Sequence, residues 1–379
     1  MILKKLYQKE ISRMNLKKRI IKNYVNFRGR SLKGRKIVLI ESDDWGSIRM
    51  PSRVVYDKLV SNGIDIDKCV FDKYDALESE KDLTELFEVL TSVRDSKGKH
   101  AIMAPYVLVA NPDFERIEEC RMERYVYESV LSTYKKNPHT ENSFAIIKEG
   151  MIQGIWNPQF HGREHVNVNR WLKACRRNDK FVSLAFHANA FLSTAFPKDL
   201  DCFPAFDYDA ETELVMIEQI ISEGLDMFRK IYDNIPISIC APCGIANQKV
   251  FKVALEKGIR MIPGQILTPN GIGEYEKLDY FWGDRYFQDA MHYRRNCKFD
   301  PSNPRYKDSV DSCLAEIEIA FRWGKPAVID SHRVNYIGSI FPENRETSLR
   351  QLKRLLKEIV KRWPDVEFMT SEEIYNLYR

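Results

Sequence analysis

The sequence predicts an α/β protein, a distorted (β/α) barrel of about seven parallel strands, with an N-terminal basic helix and inserted segments. Three observations lead there. Short apolar runs alternate with helical patterns over most of the 379 residues, a length that single α/β barrels often occupy. The stretch from Lys36 to Ile40 is continuously apolar after its first residue, as expected of a strand covered on both faces in a parallel sheet. Chemistry-bearing residues also follow separate strand candidates: Asp43 and Asp44, His161, His187, Pro242 and His332. Only a closed barrel gathers so many strand ends around one centre.

Charge divides the chain. Residues 1–36 hold thirteen Lys and Arg against the single acid Glu10, a local charge of +12, so the +5 total leaves −7 for the remainder. That mildly acidic body is not a nucleic-acid surface. In the leader, Leu3, Leu6, Tyr7, Ile11, Met14, Ile21, Tyr24 and Val25 recur at helical intervals, which predicts an amphipathic helix. The division is therefore a leader helix over 1–34 and a barrel domain over 35–379, with insertions near 50–150 and 263–306. The leader's apolar stripe is expected to pack on the barrel, with peripheral contact to an anionic membrane surface, or to an acidic partner, as the alternative.

Lys9, Arg13, Lys17 and Lys22 interrupt any secretory apolar core, and no run approaches the roughly 18 apolar residues of a membrane span. The expectation is a cytoplasmic chain with no transmembrane segment. Its oligomeric state is not legible. Eight scattered cysteines point to reduced thiols packed as small hydrophobes. Cys240-Ala241-Pro242-Cys243 has a suggestive spacing, but no second pair completes a structural zinc site.

Beyond the leader, the pattern predicts helices around 54–61 and 82–96, a strand over 101–110, and a helical segment over 113–136. A strand over 152–156 then leads into His161-Gly162-Arg163-Glu164-His165. Next come helix 171–179, strand 181–186, helix 211–232, strand 237–241, helix 248–257 and strand 259–262. The stretch 263–305, with scattered Gly, Pro and aromatic residues, reads as an irregular excursion. Regularity resumes with helix 309–322, strand 326–329, helix 348–361, strand 367–369 and helix 372–377.

Two imidazoles four residues apart on a helical turn present their nitrogens to one divalent cation, zinc first among the expectations. The acid pair Asp43-Asp44 offers a third ligand and a general base. Adjacent aspartates point to opposite sides of a strand, so they share a site only where the backbone turns, and Trp45-Gly46 is the expected place. These features read as a metal-dependent hydrolase.

The order of these motifs resembles the polysaccharide deacetylases, carbohydrate esterase family 4, within the glycoside hydrolase/deacetylase barrel superfamily. Ser42-Asp43-Asp44-Trp45-Gly46 is similar to the first family motif, His161 to His165 to the second, Ala241-Pro242-Cys243-Gly244 with Asn247 to the third, and Ser331-His332 to the last. The resemblance implies Asp44, His161 and His165 as metal ligands, Asp43 as base and His332 as acid. Its third motif implies that Pro242 and Asn247 shape a wall of the substrate groove, and the reaction it implies is removal of an acetyl group from an N-acetylated carbohydrate; Trp45, as a ring able to stack on a sugar face, and His187, from its place after a strand, are further expected substrate contacts. Two departures stand out. Cys240 occupies the place of the third motif's arginine, and the fourth motif's aspartate is missing from 262–267, leaving Asp330 or Asp284 as substitutes. Glycosidic cleavage on the same barrel type, or carbohydrate binding without turnover, are the competing readings.

Overall fold

The strand Lys36–Trp45 (β1) runs through the middle of the molecule and is buried from Ile37 onward. The computed structural model describes residues 16–270, 273–285, 290–306 and 308–379. After β1 come strands Met103–Leu108 (β2), Ala110–Pro112 (β3), Tyr127–Ser129 (β4), Gln159–Gly162 (β5), Met261–Pro263 (β6), Gln265–Pro269 (β7) and Tyr275–Asp279 (β8). Strands Met291–Tyr293 (β9), Cys297–Lys298 (β10), Ala327–His332 (β11) and Val366–Phe368 (β12) complete the series.

The main sheet runs β10-β11-β1-β2-β5, all parallel, with β12 beside the start of β1. Single parallel bridges extend β5 through Ser238 and Ile239 to β6, which pairs with β9. From Tyr293 the chain passes through residues 294–296 to Cys297 and β10, which pairs with β11. The result is the distorted (β/α) barrel, with ladders on one side and isolated bridges on the other. Hairpins β3-β4 and β7-β8 are antiparallel additions.

Helices flank this core. Leu83, Leu86 and Leu90 of helix Glu80–Thr91, and Leu352, Leu356 and Ile359 of helix Pro342–Arg362, join Val38, Ile40 and Ile329 of the sheet in one apolar cluster. Removal of so much apolar surface from water is the dominant stabilising contribution.

Several elements differ from expectation, each for a local reason. Residues 180–186 form a helix, because Asp179 caps it by accepting from the Phe181 and Val182 amides. The predicted strand at 152–156 is instead the end and exit of helix Ser143–Ile152. His161 itself lies in β5, and His165 in the bend that follows, so the two imidazoles do not share a helical turn. The 113–136 segment is broken by β4. The excursion at 263–305 contributes β9, paired with β6, and β10, paired with β11.

Within the leader, Leu3, Leu6, Tyr7, Ile11 and Met14 lie outside the described residues. The described helix, Leu16–Phe27, docks through charge: Lys18 and Lys22 reach Glu316, buried in helix Ser309–Arg322, at 2.7 and 2.9 Å. Leu16, Ile20 and Ile21 face outward, and Tyr24 and Phe27, more than half exposed, make edge-on ring contacts with Phe281 and Trp323. Of the expected stripe, Ile21 is exposed, Val25 is half-buried and Tyr24 meets the Phe281 ring of the barrel. A buried carboxylate costs several kcal/mol when left unpaired, and that demand turned the lysines inward. No helix among the described residues is long and apolar enough to cross a membrane.

Candidate active site

Parallel pairing of β1 with β11 sets Asp43 beside His332 and Glu41 beside Asp330. Side chains two apart on a strand share a face, so one register places four ionisable groups on a common wall. Asp44 would ordinarily point away. Its φ of +76°, with a register shift between Ser42 and Trp45, swings its carboxylate back towards the same centre. The turn falls at Asp44 itself, one residue before Trp45-Gly46, and aspartate is among the few side chains that tolerate this backbone region.

The Asp44 carboxylate meets both imidazoles. Its Oδ1 lies 3.4 Å from His161 Nε2 and 3.2 Å from His165 Nε2, and all three residues are buried. Ligand atoms at about 2.0–2.1 Å from a tetrahedral zinc stand ~3.3 Å from one another, which is the spacing found here. His161 Nδ1 donates to the Cys240 carbonyl at 2.8 Å, which turns the Nε2 lone pair towards Asp44. Burial holds the His165 pKa below the ordinary imidazole value, favouring the neutral, ligating ring. The donor set fits a divalent cation.

Asp43 is tied elsewhere. Arg295 reaches it in a fork at 2.5 and 2.7 Å, and also binds Glu41 at 2.6 Å and Asp330 at 3.2 Å. Burial opposes ionisation of Asp43, but Arg295 outweighs it and holds the carboxyl at about 2. Across the register, His332 Nδ1 contacts Asp300 at 3.1 and 3.2 Å. Burial would lower the His332 pKa; Asp300 prevails and raises it to about 9. Lys298 bridges Asp300 and Asp330 at 2.7 and 2.9 Å.

Two charged partners beside Asp43 and His332 were not among the expected residues. Arg295, on the turn after β9, supplies the guanidinium that Cys240 lacks, while the Cys240 thiol sits 3.8 Å from Asp43 and is kept neutral by burial. Asp300 takes the place proposed for Asp330 or Asp284. Asp284 instead accepts from the Phe281 amide, and Asp330 binds Arg295 and Lys298. The sequence signal for both was a run of charges, Arg294, Arg295, Lys298 and Asp300, soon after the short stretch Ala290-Met291-His292-Tyr293.

A cavity of about 530 Å³ opens on these groups, lined by Asp43, Asp44, His161, His165, Arg295 and His332 among others. The four residues expected to bind substrate fare differently. His187 is exposed beside Glu118, 3.2 Å away, because its segment is the end of a surface helix. Trp45 is core: its Nε1 donates to Ser42 Oγ, and its ring meets Trp156 and stacks on Tyr336. Pro242 is buried while its neighbours Ala241, Cys243 and Gly244 line the cavity. Asn247 caps helix Gln248–Glu256 and donates to Tyr208, so its amide serves the scaffold. All eight cysteines are unpaired.

Fold and site together define a class: a (β/α) barrel with a buried two-histidine, one-carboxylate cluster beside Asp43 and His332. No family model matches the chain, and no curated protein matches it. Solved structures similar to it include a 4-alpha-glucanotransferase from Thermococcus litoralis, at 11% identity and a TM-score of 0.46 over 90% of this chain. The chain spans 40% of that protein's length. A candidate glycoside hydrolase/deacetylase from Parabacteroides distasonis is 10% identical, with a TM-score of 0.48, covering 93% of this chain and 73% of that one. A candidate polysaccharide deacetylase from Mycobacterium smegmatis is also 10% identical, at a TM-score of 0.42 over 93% of both chains.

Proposed function

We propose that this chain is a metal-dependent hydrolase that removes an N-acyl group, acetyl in the first instance, from a carbohydrate. The observation that carries the reading is the convergence of Asp44, His161 and His165 beside an ionised Asp43 and a protonated His332. Asp44, His161 and His165 would hold the cation; zinc suits two imidazoles and a carboxylate. When bound, such an ion supplies polarisation of the acyl carbonyl and acidification of water.

The chain's own groups do the rest. Asp43, held by Arg295, accepts a proton from the attacking water. His332, held charged by Asp300, gives one to the departing nitrogen, so the amide and water become a carboxylic acid and an amine. In the zinc-loaded protein, acetate release from N-acetylglucosamine oligosaccharides is expected, and Asp43→Ala should lower it by about 10²–10⁴-fold with folding preserved. Release undiminished in that variant would refute the assignment.

The acid carries its own pH signature. The alkaline limb of kcat/KM should lie near 9, where His332 loses its proton. Asp300→Asn removes the group that raises that value and leaves the opposing effect of burial. The limb then moves towards neutral pH, which a pH–rate profile reads directly. An unmoved limb would remove His332 from the acid's role.

A further inference from the structure

The cations lining the cavity are nearly all engaged. Lys298 holds Asp300 and Asp330, Arg295 holds three carboxylates, and Arg294 binds Asp279 and the carbonyls of Gly264 and Tyr280. Arg49 is different. It is 4% exposed, yet among the described residues its buried Nε has no hydrogen-bond partner. Its nearest carboxylate oxygens, on Asp44 and Asp75, are each 3.7 Å away.

Neither carboxylate is at leisure to close that gap. Asp44 stands between two imidazoles, and Asp75 is gripped by both arms of Arg333 at 2.9 Å. The Arg49 guanidinium lies over the Phe203 ring at 4.2 Å, with Phe71 at 5.9 Å. Stacking fixes its plane without using its N–H donors. A buried guanidinium with unspent donors is costly to keep, and native structures almost always satisfy such groups. The partner that matches a planar, positively charged fork is a carboxylate or a phosphate.

We propose that Arg49 anchors an oxyanion carried by the substrate, so that the site takes acidic acylated sugars in preference to neutral ones. This deepens, and rests on, the reading of the cavity as the substrate site of a carbohydrate hydrolase. Position supports it: Arg49 lines the same cavity as Asp43 and His332, and its Nη2 faces the Asp44 end of the cluster.

Calorimetric titration of the zinc-loaded full chain provides the test, with N-acetylmuramic acid, N-acetylglucosamine 6-phosphate and neutral N-acetylglucosamine as probes. At least one acidic sugar is expected to bind about 30-fold more tightly than the neutral one, the size of charge-assisted hydrogen bonding to a buried cation. Which acid gains identifies carboxylate or phosphate. Arg49→Met should erase that advantage while leaving the neutral sugar's Kd and the zinc affinity unchanged. Arg49→Lys should restore part of it.

Equal binding of all three sugars by the wild type would overturn the proposal. So would an Arg49→Met variant that weakens neutral and acidic sugars alike or loosens zinc, since Arg49 would then serve Asp44. Acetate release is scored separately on the same panel. Discrimination without any release would refute the hydrolase and leave the anion site standing.

Discussion

Replacement of His161 by alanine is expected to lower zinc affinity by more than about 100-fold, because even residues one step removed from a metal cost 10–100-fold when changed. Two donors would remain, Asp44 and His165, too few to hold the ion with open positions left for water and substrate. Hydrolysis should fall with it by about 10³-fold or more, the equivalent of several kcal/mol of lost stabilisation in the transition state. Elemental analysis of the purified variant, set beside its circular dichroism spectrum, separates loss of metal from loss of fold. A variant that still binds one zinc per chain at wild-type affinity would contradict the assignment.

Arg295→Met should be the most destabilising single change near the site. It strips the cation from Glu41, Asp43 and Asp330 together, all of them largely hidden from water. Removal of one member of a buried ion pair costs about 3–5 kcal/mol, because the remaining charge stays desolvated. The sign of its pH dependence follows. Burial alone raises carboxyl pKa values, as it already does for Glu41 in spite of Arg295. In the variant Glu41 and Asp43 then hold protons more tightly folded than unfolded, so the deficit is small at acid pH and grows as pH rises through their folded values. Urea unfolding at acid and neutral pH measures this. A deficit independent of pH would show that packing of the arginine, rather than its charge, supports the site. Activity should fall as well, since Asp43 would lose both its orientation and its ionised state.

How far the site could be read from the chain varied by residue. Asp43, Asp44, His161, His165 and His332 were singled out because each is a chemically apt residue beside a strand-like run, and the structure does bring all five to one cavity. Trp45 and His187 were misplaced, because an aromatic ring or an imidazole in a short apolar segment does not declare which face it takes. His187 shows the difficulty: Phe181–Phe186 has the length and hydrophobicity of a buried strand, and one capping aspartate, Asp179, makes it a surface helix. Arg295 and Asp300 cannot be placed from the chain alone, because their segment alternates neither as helix nor as strand. Its strands are two or three residues long, and their regularity comes from neighbours far away in sequence.

Local pattern was therefore sufficient for the alternation of strands and helices, for the central strand β1, and for the ligand-type residues at its end. Those are properties of consecutive residues, decided by burial period and by side-chain chemistry. Which arginine steadies Asp43, which aspartate charges His332, and which guanidinium is left unsatisfied were settled only when the strands came together. A buried charge is compensated by whatever opposite charge the packing brings within reach, and that proximity is set by strand register and by which distant segments pack together, neither of which is written in any short stretch of the chain.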